Sequence, residues 1–165
     1  MPAVNWSRRS LAIVKRHVVV VTIATLVLLW WGIPTARQAY YDAKVRSMCA
    51  QDGGIKVYEQ VRLPAELFDK WGGVRIPIAK DAKPSDEFVM NWETEHYDTA
   101  PVIGDGITLR RDRFLVVRQT DGKVLGEATS YARRGGDPIG PWEESSFRCP
   151  MSSDDQMLIR RVFTS

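Results

Sequence analysis

The chain has 165 residues and a formal net charge of +3 at pH 7, from 23 Lys and Arg against 20 Asp and Glu. Residues 1–34 hold four basic and no acidic side chains, so residues 35–165 hold 23 − 4 = 19 basic against 20 acidic ones. A nearly neutral domain lacks the basic patch that nucleic-acid binding needs, and we expect no nucleic-acid partner.

The first predicted element is an apolar run over residues 18–34, in which Thr22 and Thr25 are the polar side chains. At 1.5 Å per residue its 17 residues span about 25 Å, close to the roughly 30 Å hydrocarbon core of a bilayer. The run is longer than the apolar region of a usual signal peptide, and no small-x-small cleavage site follows it. We therefore expect an uncleaved transmembrane helix; the alternatives are a cleaved signal peptide and a buried helix of a soluble protein.

The flanks of the run predict its orientation and its contacts with the lipid bilayer. Four basic residues precede it and three follow closely, so the positive-inside rule favours a cytoplasmic N-terminus. Aromatic side chains at the distal end fit an interfacial belt. The predicted interface residues are Arg8, Arg9, Lys15, Arg16, Trp30, Trp31, Tyr40 and Tyr41.

These features predict a single-pass membrane protein with a cytoplasmic N-terminus. Residues 1–17 form a cytoplasmic basic segment, residues 18–34 a transmembrane helix, residues 35–48 a membrane-proximal helix and residues 49–165 a periplasmic domain. Pro34 either ends the membrane helix or opens the following one at its first turn.

Two cysteines, Cys49 and Cys149, lie near the two ends of the predicted periplasmic part. In an oxidising compartment an even count indicates one disulfide, here closing a loop of 149 − 49 = 100 residues. The chain-entropy model gives about 4–5 kcal/mol for such a loop. Two free thiols or a shared metal site are the alternatives, but there is no CxxC motif and His17 lies beside the membrane, so we expect no metal and no cofactor.

The domain itself begins with a predicted strand and a predicted short helix. Residues 55–63 alternate with period two and contain β-branched side chains, which is typical of a strand. A proline, apolar side chains at three-to-four spacing and two glycines predict a short helix over residues 64–71.

The second half of the domain predicts an antiparallel sheet. Asp121-Gly122 is expected as a type I′ hairpin turn, Gly126 as the site of a bulge, and residues 135–141 as an irregular loop. The predicted strands are residues 87–92, 113–120, 123–133 and 157–163.

About 115 residues past the membrane suffice for one core. The expected fold class is therefore α+β, with one N-terminal transmembrane helix followed by a small, mainly antiparallel β domain with one or two helices.

Signatures of catalysis are sparse in this sequence. His96 is the one histidine on the predicted periplasmic side, and Glu93, Glu95 and Asp98 beside it are candidates to orient it as a base. We interpret this stretch as a polar surface strand, because one histidine among acids is a weak metal or catalytic signal. Two arginine-rich stretches, residues 110–113 and 133–134, are interpreted as solvated strand ends; the alternative is a local basic patch.

Aromatic side chains beside glycine- and proline-rich loops favour partner binding, because rigid aromatic groups anchor many interfaces. The alternative is that they close the ends of the sheet core. The candidates are Trp71, Trp92, Trp142 and Phe147.

The segments 49–58 and 121–127, with Tyr131 and Cys149-Pro150, resemble a group of short, uncharacterised, membrane-anchored proteobacterial proteins. The resemblance covers most of the predicted periplasmic part and implies a bacterial envelope setting. It implies no activity, because that group carries none that can be transferred.

The leading hypothesis is a non-enzymatic inner-membrane protein whose periplasmic domain is an accessory or binding module in an envelope assembly, through an envelope protein or self-association. One alternative is a periplasmic enzyme or small-ligand binder that uses His96 and the neighbouring carboxylates. The other is a mobile-element protein that excludes competing DNA or phage.

Overall fold

The computed structural model describes residues 6–97, 106–138, 140–141, 143–151 and 155–165, with side chains from residue 13 onward. A long helix leads into a mainly antiparallel sheet that carries a second helix, which confirms the predicted α+β class. The elements are α1 (Trp6–Asp52), β1 (Gly54–Val57), β2 (Val61–Arg62), β3 (Phe88–Tyr97), β4 (Thr108–Arg118), β5 (Val124–Arg134), β6 (Ser146–Cys149), α2 (Asp155–Val162) and β7 (Phe163–Thr164).

Helix α1 is continuous through Pro34, so the apolar run and the predicted membrane-proximal helix form one rod. Its apolar part has a mean hydropathy of 2.1 and no residue buried against the rest of the molecule, so by length and composition it is a candidate membrane span. The hydroxyls of Thr22 and Thr25 donate to carbonyls four residues earlier, at 2.8 Å in both cases. These bonds give the two polar side chains partners inside the helix.

The main sheet has the order β1–β5–β4–β3, and β6 pairs with the same edge of β5 as β1 does. All of its pairings are antiparallel: β1 lies along residues 126–129 of β5, and β6 lies along residues 131–134. Strand β3 therefore forms the opposite edge of the sheet. A separate parallel pair joins β2 to β7.

The bulge that Gly126 predicts is present, because the register between β4 and β5 shifts after Val116 and leaves Leu125 as an extra residue. A Cβ atom at Gly126 would lie 2.8 Å from Cγ2 of Val162 and 3.1 Å from Cδ1 of Leu158. Glycine at this position is what allows α2 to lie so close to the sheet.

The strand predicted over residues 157–163 is wrong: this segment is helix α2 up to Val162, and only Phe163–Thr164 is extended. Leu158, Ile159 and Val162 are buried, whereas Arg160 and Arg161 are exposed, which is a helical spacing. Short apolar runs satisfy strand and helix patterns equally, and contact with the sheet decides between them.

Three other predictions need correction. The strand over residues 55–63 is two strands, because Tyr58 and Glu59 both turn their N–H groups to the carbonyl of Leu125 and β2 then leaves the main sheet. The helix over residues 64–71 is a single 3₁₀ turn, Ala65–Leu67. The strand near residues 87–92 is longer than predicted and continues to Tyr97 as β3.

The β4–β5 turn is also wider than the predicted type I′ turn. The closing pair is Arg118 and Lys123, and the N–H of Gly122 donates to the carbonyl of Arg118 at 2.9 Å. The Asp121 side chain accepts from the backbone N–H of Lys123 at 3.0 Å, which stabilises this four-residue loop. Gly122 has a φ of +69°, a backbone conformation that favours glycine.

Candidate binding surface

The last four turns of α1 lie against one face of the sheet, which we call the α1 face. The cluster between them contains Val45, Cys49, Leu109 and Tyr131, all buried, with half-buried Phe147 beside them. The predicted disulfide is confirmed: Cys49 and Cys149 are bonded, with their Cα atoms 5.9 Å apart. The helix is thus covalently joined to β6.

Polar contacts hold α1 at three levels along its length. Nearest the apolar run, Nε2 of Gln38 donates to Oδ1 of Asp137 at 2.7 Å. One turn further, Nε of buried Arg133 donates to Oδ1 of Asp42 at 2.5 Å. At the end of the helix, the Tyr131 hydroxyl donates to Oδ1 of Asp52 at 2.6 Å.

Arg111 also donates to Asp52, at 2.9 Å, so this carboxylate joins β4 and β5 to the helix. Burial, followed by the hydrogen bond to Asp52, raises the pKa of the Tyr131 hydroxyl well above its ordinary value. Tyr131 therefore remains a neutral donor throughout the physiological range.

These contacts fix which end of the sheet is nearest the apolar run. Gln38 is four residues past Pro34, about 6 Å by helical rise, and it contacts the loop between β5 and β6 through Asp137 and Ser145. The β5–β6 end of the sheet is consequently the end nearest the apolar run, and the β4–β5 turn lies at the far end.

Strand β3 leaves one edge of the sheet open. The N–H of Met90 donates to the carbonyl of Pro77, on the side away from β4, through the short parallel bridge that Ile78 makes with Met90. Backbone groups alternate sides along a strand, so those of Trp92, Thr94 and His96 also face away from β4. Among the residues that the structure describes, no strand pairs with β3 at these three positions.

Trp92 stands beside this open edge, 58% exposed, with its ring stacked on Phe114 at 5.8 Å between centroids and 20° between planes. The stacking holds the indole in place while most of it remains accessible. Such a rigid, exposed aromatic group has the properties of an interface anchor.

The two faces of β3 carry different charges. Glu93 and Glu95 lie on the α1 face, each exposed and 3.8 Å from an arginine of β4, Arg113 and Arg111 respectively. On the opposite face, the Thr94 hydroxyl donates to Oδ1 of Asp112 at 3.0 Å.

Asp112 is almost fully buried, and arginines bind its second oxygen. Oδ2 accepts from Nη2 of Arg148 at 2.9 Å and lies 3.2 Å from Nε of Arg110. The buried carboxylate is therefore fully compensated, and it ties β6 to β3 across the sheet.

A groove of about 560 Å³ opens on this second face, at the end of the sheet nearest the apolar run. Its floor is formed by small side chains on adjacent strands, and long charged side chains stand around it. The lining residues are His96, Thr108, Arg110, Ala132, Arg133, Arg134, Glu143, Glu144 and Ser146. Neither Glu93 nor Glu95 lines it, because side chains alternate faces along a strand, and Asp98 lies outside the described residues.

The arginine-rich stretches that the sequence assigns to solvated strand ends instead include the main charge partners of the sheet. Arg113 binds Glu127, Arg111 binds Asp52 and Arg133 binds Asp42. Burial opposes ionisation of Glu127, but the hydrogen bonds from Arg113 and Tyr58 lower its pKa below the ordinary value. No sequence pattern indicates these partners, which are distant along the chain.

The other predicted binding residues are dispersed. Trp71 is 71% exposed in the turn after the 3₁₀ helix, where Asp69 accepts from the N–H groups of Trp71 and Gly73 at 2.8 Å. Phe147 lies under the guanidinium of Arg46, 4.8 Å from the ring centroid, in the contact between α1 and the sheet. Trp142 lies outside the described residues.

The predicted membrane-interface residues all belong to α1. Lys15, Arg16, Trp30, Trp31 and Tyr40 are exposed. The side chains of Arg8 and Arg9 lie outside the described part of the chain. Tyr41 is half-buried against the α1 face cluster and meets Tyr40 edge to face.

Within the described residues, no group of three or more His, Cys, Asp or Glu side chains is arranged to hold a metal ion. No family model, no curated protein and no solved structure matches the chain.

Proposed function

We propose that the protein is a single-pass inner-membrane protein of a bacterial envelope whose periplasmic domain binds a partner protein. The open edge of β3 is the binding surface, and the partner adds an extended segment to it. The observation that carries this proposal is the row of outward backbone groups at Trp92, Thr94 and His96 beside the exposed, stacked indole of Trp92. Strand addition supplies backbone hydrogen bonds, and a neighbouring aromatic anchor supplies specificity.

The connection to the membrane supports the same proposal. Because α1 is continuous and attached to the sheet by a disulfide and three levels of polar contact, the edge is held at a fixed position relative to the apolar run. A domain held at a fixed position is better suited to organising other envelope components than a domain on a flexible tether. The disulfide supports an oxidising compartment, as the periplasm is.

Charge favours a different protein over a second copy of this chain at the edge. If two β3 strands paired antiparallel about Thr94, Glu93 of one copy would face Glu95 of the other. Directly opposed like charges destabilise a strand pair. The expected partner segment carries Lys or Arg on the side that meets Glu93 and Glu95.

The test is site-specific photo-crosslinking in living cells with the full chain. A photoreactive amino acid replaces Trp92, and a matched one replaces Met151, which is highly exposed but distant from β3 along the chain. We expect a discrete adduct from position 92 and none from position 151. The adduct must then depend on the backbone N–H of residue 94.

Thr94→Pro removes that N–H while leaving the β3–β4 ladder intact, because proline is tolerated where the N–H faces outward. Thr94→Val is the matched control, since it loses the hydroxyl bond to Asp112 but keeps the N–H. Loss of the adduct in Thr94→Pro and its retention in Thr94→Val are expected. Equal adduct yields from the two variants would contradict strand addition.

A reporter active only in the periplasm, fused after Ser165, tests the proposed topology separately. Thiol labelling of the same chain should find Cys49 and Cys149 blocked before reduction and reactive after it. A reporter signal confined to the cytoplasm would overturn the envelope assignment whatever the crosslinking result.

A further inference from the structure

The groove lined by His96, Arg110 and Arg134 is concave. Its floor consists of small side chains, and basic and acidic side chains stand around it. Ala132, Thr108 and Ser146 leave the floor low, because their side chains are short. The hydrogen-bond donors are His96, Arg110 and Arg134, and the acids are Glu143 and Glu144.

The charged groups of the groove retain capacity for a ligand. Arg134 is 72% exposed and contacts Glu144 through Nε at 2.7 Å, which uses one of its five N–H donors. Arg110 likewise meets Asp112 through Nε. Glu143 makes no ion pair within the described part of the chain. A ligand with a phosphate and a primary ammonium group would complement both sets.

The depth of the groove is set by α1. Ser146 and Arg134 are paired in register, and the adjoining Ser145 contacts Gln38, about 6 Å past Pro34 by helical rise. Arg133 contacts Asp42, one turn further. The headgroup layer extends roughly 5–8 Å beyond the hydrocarbon core on each side. With α1 along the bilayer normal, the rim of the groove is level with the outer part of that layer.

We infer that this groove binds a phosphoethanolamine group, with Arg134, Arg110 and His96 on the phosphate and Glu143 and Glu144 on the ammonium. Guanidinium groups match phosphate oxygens through charge-assisted hydrogen bonds. A primary ammonium donates three hydrogen bonds to carboxylates, whereas a quaternary ammonium donates none. The groove therefore distinguishes ethanolamine from choline and from glycerol headgroups.

The test is native mass spectrometry of the full chain released from bilayers that contain equal parts phosphatidylethanolamine, phosphatidylcholine and phosphatidylglycerol. We expect wild-type protein to retain phosphatidylethanolamine in about tenfold excess over the other two, the effect of one charge-assisted hydrogen bond. Equal retention of the three lipids by the wild type would overturn the inference.

Substitutions at two exposed residues test the phosphate contacts and the ammonium contacts of the groove separately. Arg134→Gln should reduce retention of all three phospholipids, because the phosphate is common to them. Glu143→Gln should abolish only the preference for ethanolamine. Arg62→Gln, an exposed arginine of β2 beyond the far end of β1, is the matched control and should change nothing. Wild-type retention in both groove variants would contradict the assignment.

A second arm identifies the source of the group. Titration of glycerophosphoethanolamine into the full chain in phosphate-free detergent, followed by calorimetry, asks whether a soluble ligand binds. Binding that Arg134→Gln weakens, without lipid retention, supports the same chemistry from a soluble compound. Lipid retention with no soluble binding supports a bilayer lipid. The β3 crosslinking test is independent, so either proposal can fail while the other stands.

Discussion

The two helices that cover the sheet hold it in different ways. Helix α2 packs apolar side chains on one face, and Leu158 and Val162 are completely buried in a cluster with Val116 and Leu125. Helix α1 covers the other face with a smaller apolar cluster, a disulfide and hydrogen-bonded charges such as Arg133 with Asp42.

The difference lies in what each type of contact specifies. Apolar burial is strong but has little directional preference, so it stabilises the fold without fixing a precise angle. Hydrogen-bonded ion pairs have demanding geometry and contribute more to position than to stability. The α2 face thus acts as the core of the domain. The α1 face, which we call the mount, sets the orientation of the sheet relative to α1.

The largest expected effect comes from removing the covalent part of the mount. Replacing both Cys49 and Cys149 with Ser should lower the free energy of unfolding of the full chain in detergent by about 3–5 kcal/mol. Hydrogen exchange should show faster opening of residues 38–52 than of α2. Equal acceleration in both helices would contradict a division between mount and core.

The converse change is Leu158→Ala in α2. It removes a fully buried side chain, so the free energy of unfolding should fall by about 2–4 kcal/mol. Met157→Ala, at the more exposed neighbouring position, should cost clearly less. Denaturant unfolding measures both losses. An equal loss of unfolding free energy in Leu158→Ala and Met157→Ala would argue against α2 as the core helix.

A double-mutant cycle measures the ion pair between Arg133 and Asp42 in the mount. Arg133→Met, Asp42→Leu and the double variant should give a coupling free energy of about 1–3 kcal/mol, because each single change leaves a poorly solvated charge without its partner. The double variant should recover part of the loss in stability. Additive losses would show that the pair contributes no specific interaction.

The smallest expected effect is on acid stability. Burial opposes ionisation of Asp137, but hydrogen bonds from the Ser145 N–H and from Gln38 lower its pKa below the ordinary value. A carboxyl whose pKa is lower in the folded state stabilises the fold above its unfolded pKa, and that contribution is lost as pH falls through the folded value. The free energy of unfolding, measured from neutral pH down to about pH 3, should fall for this reason.

Asp137→Asn should flatten that pH dependence near residue 38, as seen by hydrogen exchange, and should leave the apolar α2 cluster unaffected. An unchanged pH profile in Asp137→Asn would show that this carboxyl carries no part of the acid response.

How far sequence alone predicts this molecule depends on the range of the interaction. The apolar run, the disulfide and the bulge at Gly126 follow from composition, count and local chemistry. Helix α2 does not follow from the sequence, because the apolar residues of 157–163 fit the repeat of a strand and that of a helix. Gly126, on a distant strand, provides the space that selects the helix.

The candidate surfaces depend on long-range register, which no local pattern encodes. Trp92 is recognisable as a candidate from its position, but the open edge beside it requires knowing that β3 is the last strand. The groove was not predicted, because Arg134 and Glu144 lie on neighbouring segments whose approach depends on β5–β6 pairing.

Because α1 is uninterrupted at Pro34, the number of residues between Pro34 and Gln38 sets both the distance and the rotation between the apolar run and the sheet. Each residue in an α-helix advances about 1.5 Å and turns by about 100°. One residue inserted there would rotate the β3 edge by about a quarter turn around the axis of α1 relative to the apolar run. Seven inserted residues would move the edge about 10 Å along that axis and restore nearly the same angle. Contacts that depend on both the apolar run and the β3 edge would therefore depend on the rotation along this helix as well as on its length.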